Sequence, residues 1–190
     1  MSRCIRSVNE TTNWEGNVRR LRYQVATSLD GYIAGPNGEF DWIAMDPDID
    51  FAALFAQFDT TVMGRKTFLA TLQQGGSGAM PGLDVVVFSR TLRPADYPAV
   101  SVVNNDPAES VRSLKAKPGK DIWLFGGGEL FRTLLEAGLV DTVEPAVVPV
   151  LLGAGIPMLP SPASRTELSL SGHRLYPKSG IVLLEYTVKR

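Results

Sequence analysis

The sequence predicts an α/β fold, with a central mixed and mostly parallel sheet, flanking helices and an antiparallel C-terminal edge. Three observations lead there. From residue 21 to residue 137, short apolar and β-branched runs alternate with segments of helical period, the rhythm that sandwiches a parallel sheet between helices. Beyond 137 the helical segments stop, and strand-like runs at 142–151, 166–173 and 181–189 follow one another, which pair most simply antiparallel. A length of 190 residues, 44% hydrophobic and 21% charged, suits one domain with one core.

The elements follow in order. Residues 1–20, rich in arginine and asparagine without the apolar run of a signal peptide, read as a flexible extension before a single domain at 21–190. A strand at 21–27 enters the turn Ser28-Leu29-Asp30-Gly31, followed by a short strand at 32–34 and a second turn at 35–38. Carboxylates between Asp46 and Asp50 supply N-caps for a short helix, with Phe51, Leu54, Phe55 and Phe58 at helical spacing. A buried strand at 60–63, a turn at Gly64-Arg65 and a helix at 66–72 come next, then a glycine-rich loop at 73–82. Strands at 84–88, 100–104 and 122–125 enclose a helix at 107–116, and the last helix spans 129–137.

Composition excludes several functions. A net charge of -1 offers no general attraction to nucleic acid, and no apolar run reaches the length of a membrane span. One cysteine, Cys4, can build neither an internal disulfide nor a multi-cysteine metal site, and the one histidine, His173, lies in the terminal strands, which suits a structural role better than a Ser-His-Asp triad or a histidine-rich zinc site. A reducing, cytoplasmic setting fits best.

Chemistry concentrates at three strand ends. Gly126-Gly127-Gly128-Glu129 joins a buried strand to a helix, where bare backbone N–H groups and the positive end of the helix dipole can hold a diphosphate. The spacing is neither that of a Rossmann fingerprint nor that of a phosphate loop. Gly64, Arg65, Lys66 and Thr67 start a second helix, and Ser89, Arg90 and Thr91 follow a third strand. Their guanidinium groups suit a terminal phosphate, which favours NADPH over NADH.

These segments, together with Ser28-Leu-Asp-Gly-Tyr-Ile-Ala-Gly-Pro-Asn-Gly38, Asp41-Trp42 and Pro149-Val-Leu-Leu-Gly-Ala-Gly-Ile-Pro-Met158, resemble in order the motifs of the dihydrofolate reductase superfamily. The resemblance is closer still to the RibD C-terminal domain, the reductase domain of riboflavin biosynthesis that acts on 5-amino-6-(5-phosphoribosylamino)uracil. It implies a three-layer reductase fold with NADPH across the carboxyl edge of the sheet. Gly64 to Thr67 would hold phosphate, Ser89 and Arg90 the adenosine 2′-phosphate, and Gly126, Gly127, Gly128, Glu129 and Leu130 the diphosphate across a cis Gly126–Gly127 bond. Ala26 and the turn up to Ile33 would approach the nicotinamide. Related domains are commonly dimers, and the apolar runs at 147–152 and 181–186 offer a surface for a homodimer.

For the substrate, the same pattern places a carboxylate at the helix start after the tryptophan, which here is Asp50, with Asp48 as the second choice. Asp50 would orient a ring and supply a proton; capping the helix is the competing role. Asp30, Trp42, Phe51 and Leu54 are the other candidate pocket residues, with turn chemistry and core packing as their alternatives. Pro81-Gly82 is followed by Leu83 where folate enzymes carry arginine, and no Asp-Asp-Pro-x-Leu-Thr segment follows the second helix. The expected substrate is therefore another pterin, pyrimidine or flavin-like ring. A noncatalytic nucleotide- or flavin-binding module would use the same turns.

Overall fold

The computed structural model describes residues 18–73 and 75–190. Ten strands and four α-helices form it: β1 Leu21–Ser28, β2 Tyr32–Ala34, α1 Phe51–Phe55, β3 Phe58–Gly64, α2 Arg65–Gln73, β4 Asp84–Phe88, β5 Ser101–Val103, α3 Pro107–Lys115, β6 Asp121–Gly126, α4 Gly128–Glu136, β7 Thr142–Val148, β8 Ile156–Pro157, β9 Leu168–Tyr176 and β10 Ile181–Val188. Eight strands make one sheet in the order β5-β4-β3-β6-β1-β7-β10-β9. The first six run parallel, so their C-terminal ends share one edge, and β10 runs antiparallel to both neighbours.

Alternation along the strands sorts side chains to two faces. Leu21, Tyr23, Val62, Ile122 and Leu124 point to the face covered by α3 and α4, where they meet Val111, Phe131 and Leu134. Tyr23 stacks on Phe131 with ring centroids 3.9 Å apart, and burial pushes its phenol well above the usual range. On the opposite face Phe68 of α2 packs against Met63, Val85 and Val87. The rest of that face carries Arg22, Gln24 and Ala26, under the single short helix α1.

Several expectations need correction. Phe58 does not continue the first helix, which ends at Phe55; it opens β3 beside Asp121 and is 2% exposed. Strand pairing and burial against Trp123, 5.6 Å away, outweigh about two turns of periodicity in a helix this short. Arg65 starts α2 directly instead of forming a turn, and Gln73 is its last residue rather than the start of a loop. The strand expected at 142–151 stops at Val148 and is parallel to β1, so the antiparallel edge begins only with β10. The strand expected at 166–173 is shifted to Leu168–Tyr176.

The extension expected at 1–20 lies outside the described residues up to 17. Its last residues are docked on the domain: Arg19 is 5% exposed, pairs with Asp59, and donates to Thr60 Oγ1 at 2.7 Å and the Lys120 carbonyl at 2.6 Å. Arg20 donates to Asp121 at 2.6 Å.

Candidate functional site

The carboxyl edge gathers the expected anion-binding turns because β4, β3 and β6 are adjacent and parallel. Met63 stands opposite Gly126 and Gly64 opposite Phe88, so the turns leave the sheet at one level. α2 starts at Arg65 without an intervening loop, and α4 starts at Gly128 with Gly127 as its N-cap and no side-chain cap. The first N–H groups of α4 therefore remain available to a ligand.

The local backbone explains the three glycines. Gly126 has φ +138, a conformation closed to most side chains, and the Gly126–Gly127 peptide is cis, as the resemblance implies. A Cβ at Gly127 would approach Thr67 Oγ1 to 3.2 Å, and one at Gly128 would lie 2.6 Å from the Pro157 carbonyl oxygen. The bare backbone lets the start of α4 come close to Thr67 at the start of α2 and to the Pro157 carbonyl. Free N–H groups at the start of α4, with the Thr67 hydroxyl and the exposed cations at the start of α2, are a donor set suited to a diphosphate.

Arg65 Nη1 reaches Thr91 Oγ1 at 3.4 Å, which brings the start of α2 to the turn after β4. In that turn Ser89 is buried, and its hydroxyl oxygen accepts from the N–H groups of Thr91 and Leu92 at 3.2 and 3.0 Å. The hydroxyl proton is left to donate. Arg65, Lys66 and Arg90 are exposed, and Thr67 is half-buried. Glu129 points to solvent and pairs with Arg132 at 2.7 Å, while Leu130 turns into the core at 8% exposure. At those two positions the groove is offered backbone, not side chain.

A second feature lies next to it. β1 pairs with β6 only from Leu21↔Ile122 to Tyr23↔Leu124, yet it stays paired with β7 up to Ser28↔Val148. Beyond Tyr23 the sheet parts between β1 and β6. Trp123 Nε1 donates to the Gln24 carbonyl at 3.0 Å and closes the base of the gap. Along its β1 side Ala26, like Trp42 and Ile49, packs against the buried cluster of Val148, Tyr176 and Ile181.

Helix α1 lies over this face, with Phe55 5.5 Å from Trp123 and Phe51 6.1 Å from Phe55. Leu54 and Phe51 are half-buried, as expected of pocket or packing residues. Asp50 is exposed and caps α1, its Oδ1 accepting from Ala53 N at 2.9 Å. Among the described residues Asp50 Oδ2 has no hydrogen bond. Trp42 Nε1 donates to the Glu39 carbonyl at 3.1 Å.

Two other candidate acids are engaged elsewhere. Asp48 pairs with Lys178 at 2.7 Å on the surface. Asp30 accepts from Ser28 Oγ at 2.6 Å, Leu152 N at 3.1 Å and Gly153 N at 2.7 Å, and the Ser28 hydroxyl foremost, with these amides, holds its carboxyl below the ordinary range. Ile33 sits in β2, half-buried, within a two-stranded sheet with β8.

Sequence reasoning missed three polar residues on the α1 face. Arg22 binds Glu144 through two hydrogen bonds of 2.8 and 2.7 Å and Gln57 at 2.7 Å. Burial alone would lower the Arg22 guanidinium, but Glu144 and Asp121 hold it above its ordinary value. Gln24 is paired in register with Glu144, and its Oε1 is shut from solvent without a hydrogen-bond partner among the described residues. Polar residues alternating with Tyr23 and Val25 on β1 were the available signal. Asp46 was also passed over as one cap among several; it is 2% exposed and fastens the loop before α1 to Ser179 N at 2.8 Å.

Among the described residues no helix is long and apolar enough to cross a membrane. The profile of the RibD C-terminal domain matches residues 19–182. The uncharacterized protein YyaP of Bacillus subtilis is 37% identical over 179 residues, covering 88% of this chain and 94% of its own. A putative riboflavin biosynthesis protein from Shewanella sp. PV-4 superposes with a TM-score of 0.77 at 28% identity, over 90% of this chain and 99% of that one. A dihydrofolate reductase of Enterococcus faecalis, solved with NADP(H), has a TM-score of 0.67 at 17% identity, over 90% of this chain and 97% of that one, and shares the fold. The chain therefore belongs to the RibD C-terminal domain family.

Proposed function

We propose that this chain is an NADPH-dependent reductase of a small heterocycle, a pterin, pyrimidine or related ring. The observation that carries the reading is the convergence of two helix starts and the Ser89–Thr91 turn at one level of the carboxyl edge, beside a gap between β1 and β6. The fold shared with an NADP(H)-bound reductase adds to it.

In this reading the N–H groups of Gly128, Glu129 and Leu130 hold the diphosphate with Thr67. Arg65, Lys66, Ser89 and Arg90 take the 2′-phosphate end. Bound NADPH supplies the hydride. Ala26 and the turn through Ile33 set the plane of the reacting rings at the gap, and Trp42, Phe51 and Leu54 exclude water. Gln24 Oε1 accepts from a ring N–H or exocyclic amine of the substrate, a match that would remove its unpaired state. Asp50 orients the ring and hands over the proton directly or through one water.

The test is a titration with NADPH and NADH side by side, followed by NADPH oxidation against a panel of heterocycles. The reading expects tighter NADPH binding and turnover with at least one ring. Tight binding without turnover across the panel would assign a nucleotide-binding module instead.

A further inference from the structure

Asp30 has more hydrogen bonds than a turn aspartate needs. Its carboxylate gathers the Ser28 hydroxyl and the consecutive amides of Leu152 and Gly153, more than 120 positions away in the chain. The same Ser28 Oγ accepts from Tyr32 N at 2.9 Å, so one hydroxyl shapes the turn and braces the carboxylate. Charge-assisted bonds of this kind are about twice as strong as neutral ones.

The segment it grips, residues 150–158, is a strap across the carboxyl edge. At one end Leu29 N donates to the Val150 carbonyl at 2.9 Å, beside the end of β1. At the other, Met158 N donates to the Gly31 carbonyl at 2.9 Å, β8 pairs with β2, and the Pro157 and Met158 carbonyls lie where a Cβ on Gly128 would stand. The strap thus spans from the nicotinamide side of the groove to the diphosphate side. Asp30 holds its middle.

We propose that Asp30 is a positioning residue for turnover: by pinning the Leu152–Gly153 amides it sets the strap, and through the strap the spacing between the start of α4 and the end of β1. This rests on the cofactor groove proposed above. The carboxylate need touch neither cofactor nor substrate, because its hydrogen bonds go to this chain. A misplacement of about 1 Å at such a distance costs up to about 100-fold in rate.

The experiment compares wild type with Asp30→Ala and Asp30→Asn, the latter retaining one acceptor oxygen. Three quantities are read: hydrogen exchange at Leu152 and Gly153, NADPH affinity, and kcat against KM for an accepted heterocycle. Expected are faster exchange confined to the strap, a kcat lower by roughly 10–100-fold in Asp30→Ala with substrate KM within about threefold, and an intermediate kcat in Asp30→Asn. Faster exchange with unchanged kcat overturns the proposal and leaves a purely structural clasp. Unchanged exchange overturns the clasp itself. A substrate KM that rises while kcat holds overturns it in favour of direct substrate contact. Wild-type protein that takes up no NADPH sinks the groove reading, and this proposal with it, before any variant is compared.

Discussion

On the face covered by α3 and α4, β1 presents Tyr23 to Phe131 and Leu134 in an apolar layer closed to water. One residue out of phase, the same strand presents Arg22 and Gln24 to the opposite face, where Arg22 meets Glu144 and Gln57. A single strand thus serves two surfaces of opposite character. The first buries apolar area at roughly 25 cal/mol per Å²; the second buries an ion pair whose net contribution to stability is small, although removing one partner would cost about 3–5 kcal/mol. The contrast teaches that the α4 face supplies folding energy, while the α1 face holds the polar groups on which the proposed chemistry rests.

The largest effect should come from breaking the first face. Phe131→Ala is expected to lower stability by about 3–5 kcal/mol, read by urea unfolding, while the surviving folded fraction keeps its NADPH affinity. Stability loss below about 1 kcal/mol would mean that the two faces are not divided this way. Next, Asp50→Asn should lower kcat by about 100-fold or more with an unchanged melting temperature, since asparagine caps a helix as well as aspartate does. An unchanged rate and pH profile would leave Asp50 as a cap alone.

Arg90→Ala sharpens the cofactor side: NADPH affinity is expected to fall about tenfold, with NADH affinity unmoved. Gln24→Leu removes a buried oxygen that has no partner among the described residues, so the protein should gain up to about 1 kcal/mol while turnover drops. A loss of stability there would assign Gln24 a bond within the fold. The smallest effect concerns acid. Asp46, bound by the hydroxyl and amide of Ser179, lies below its ordinary value of 3.8. A carboxylate so lowered stabilises the fold above its unfolded value, and loses that contribution as pH falls through the folded one. Trp42 fluorescence, reporting on the loop it shares with Asp46, should hold steady down to about pH 4 and change only below it.

The apolar face was legible in the sequence because strand and helix periods announce it: Leu21, Tyr23, Ile122 and Leu124 alternate, and Leu130, Phe131 and Leu134 share a helical side. The triple-glycine turn was legible for a local reason, since only glycine suits such a junction. The polar face was not. Arg22 and Glu144 are 122 positions apart, and nothing in either neighbourhood shows that they meet. β8 escaped because two residues, one of them proline, carry no period; its partner β2 is three residues long. Asp30 was recognised as a turn residue, but its bonds to Leu152 and Gly153 belong to tertiary structure.

The docking of Arg19 carries the packed structure ahead of β1. Asp59 and Thr60 open β3, and the Lys120 carbonyl precedes β6; a guanidinium from ahead of β1 ties these two strand starts together at the edge opposite the groove. Trimming the chain to residue 21, the point where strand-like sequence starts, would remove that tie and strand the Asp59 carboxylate beside Thr60 with no cation from this arm. A version begun at residue 21 should melt lower than one begun at residue 18, and equal melting would leave Arg19 and Arg20 without a part in the stability of the fold.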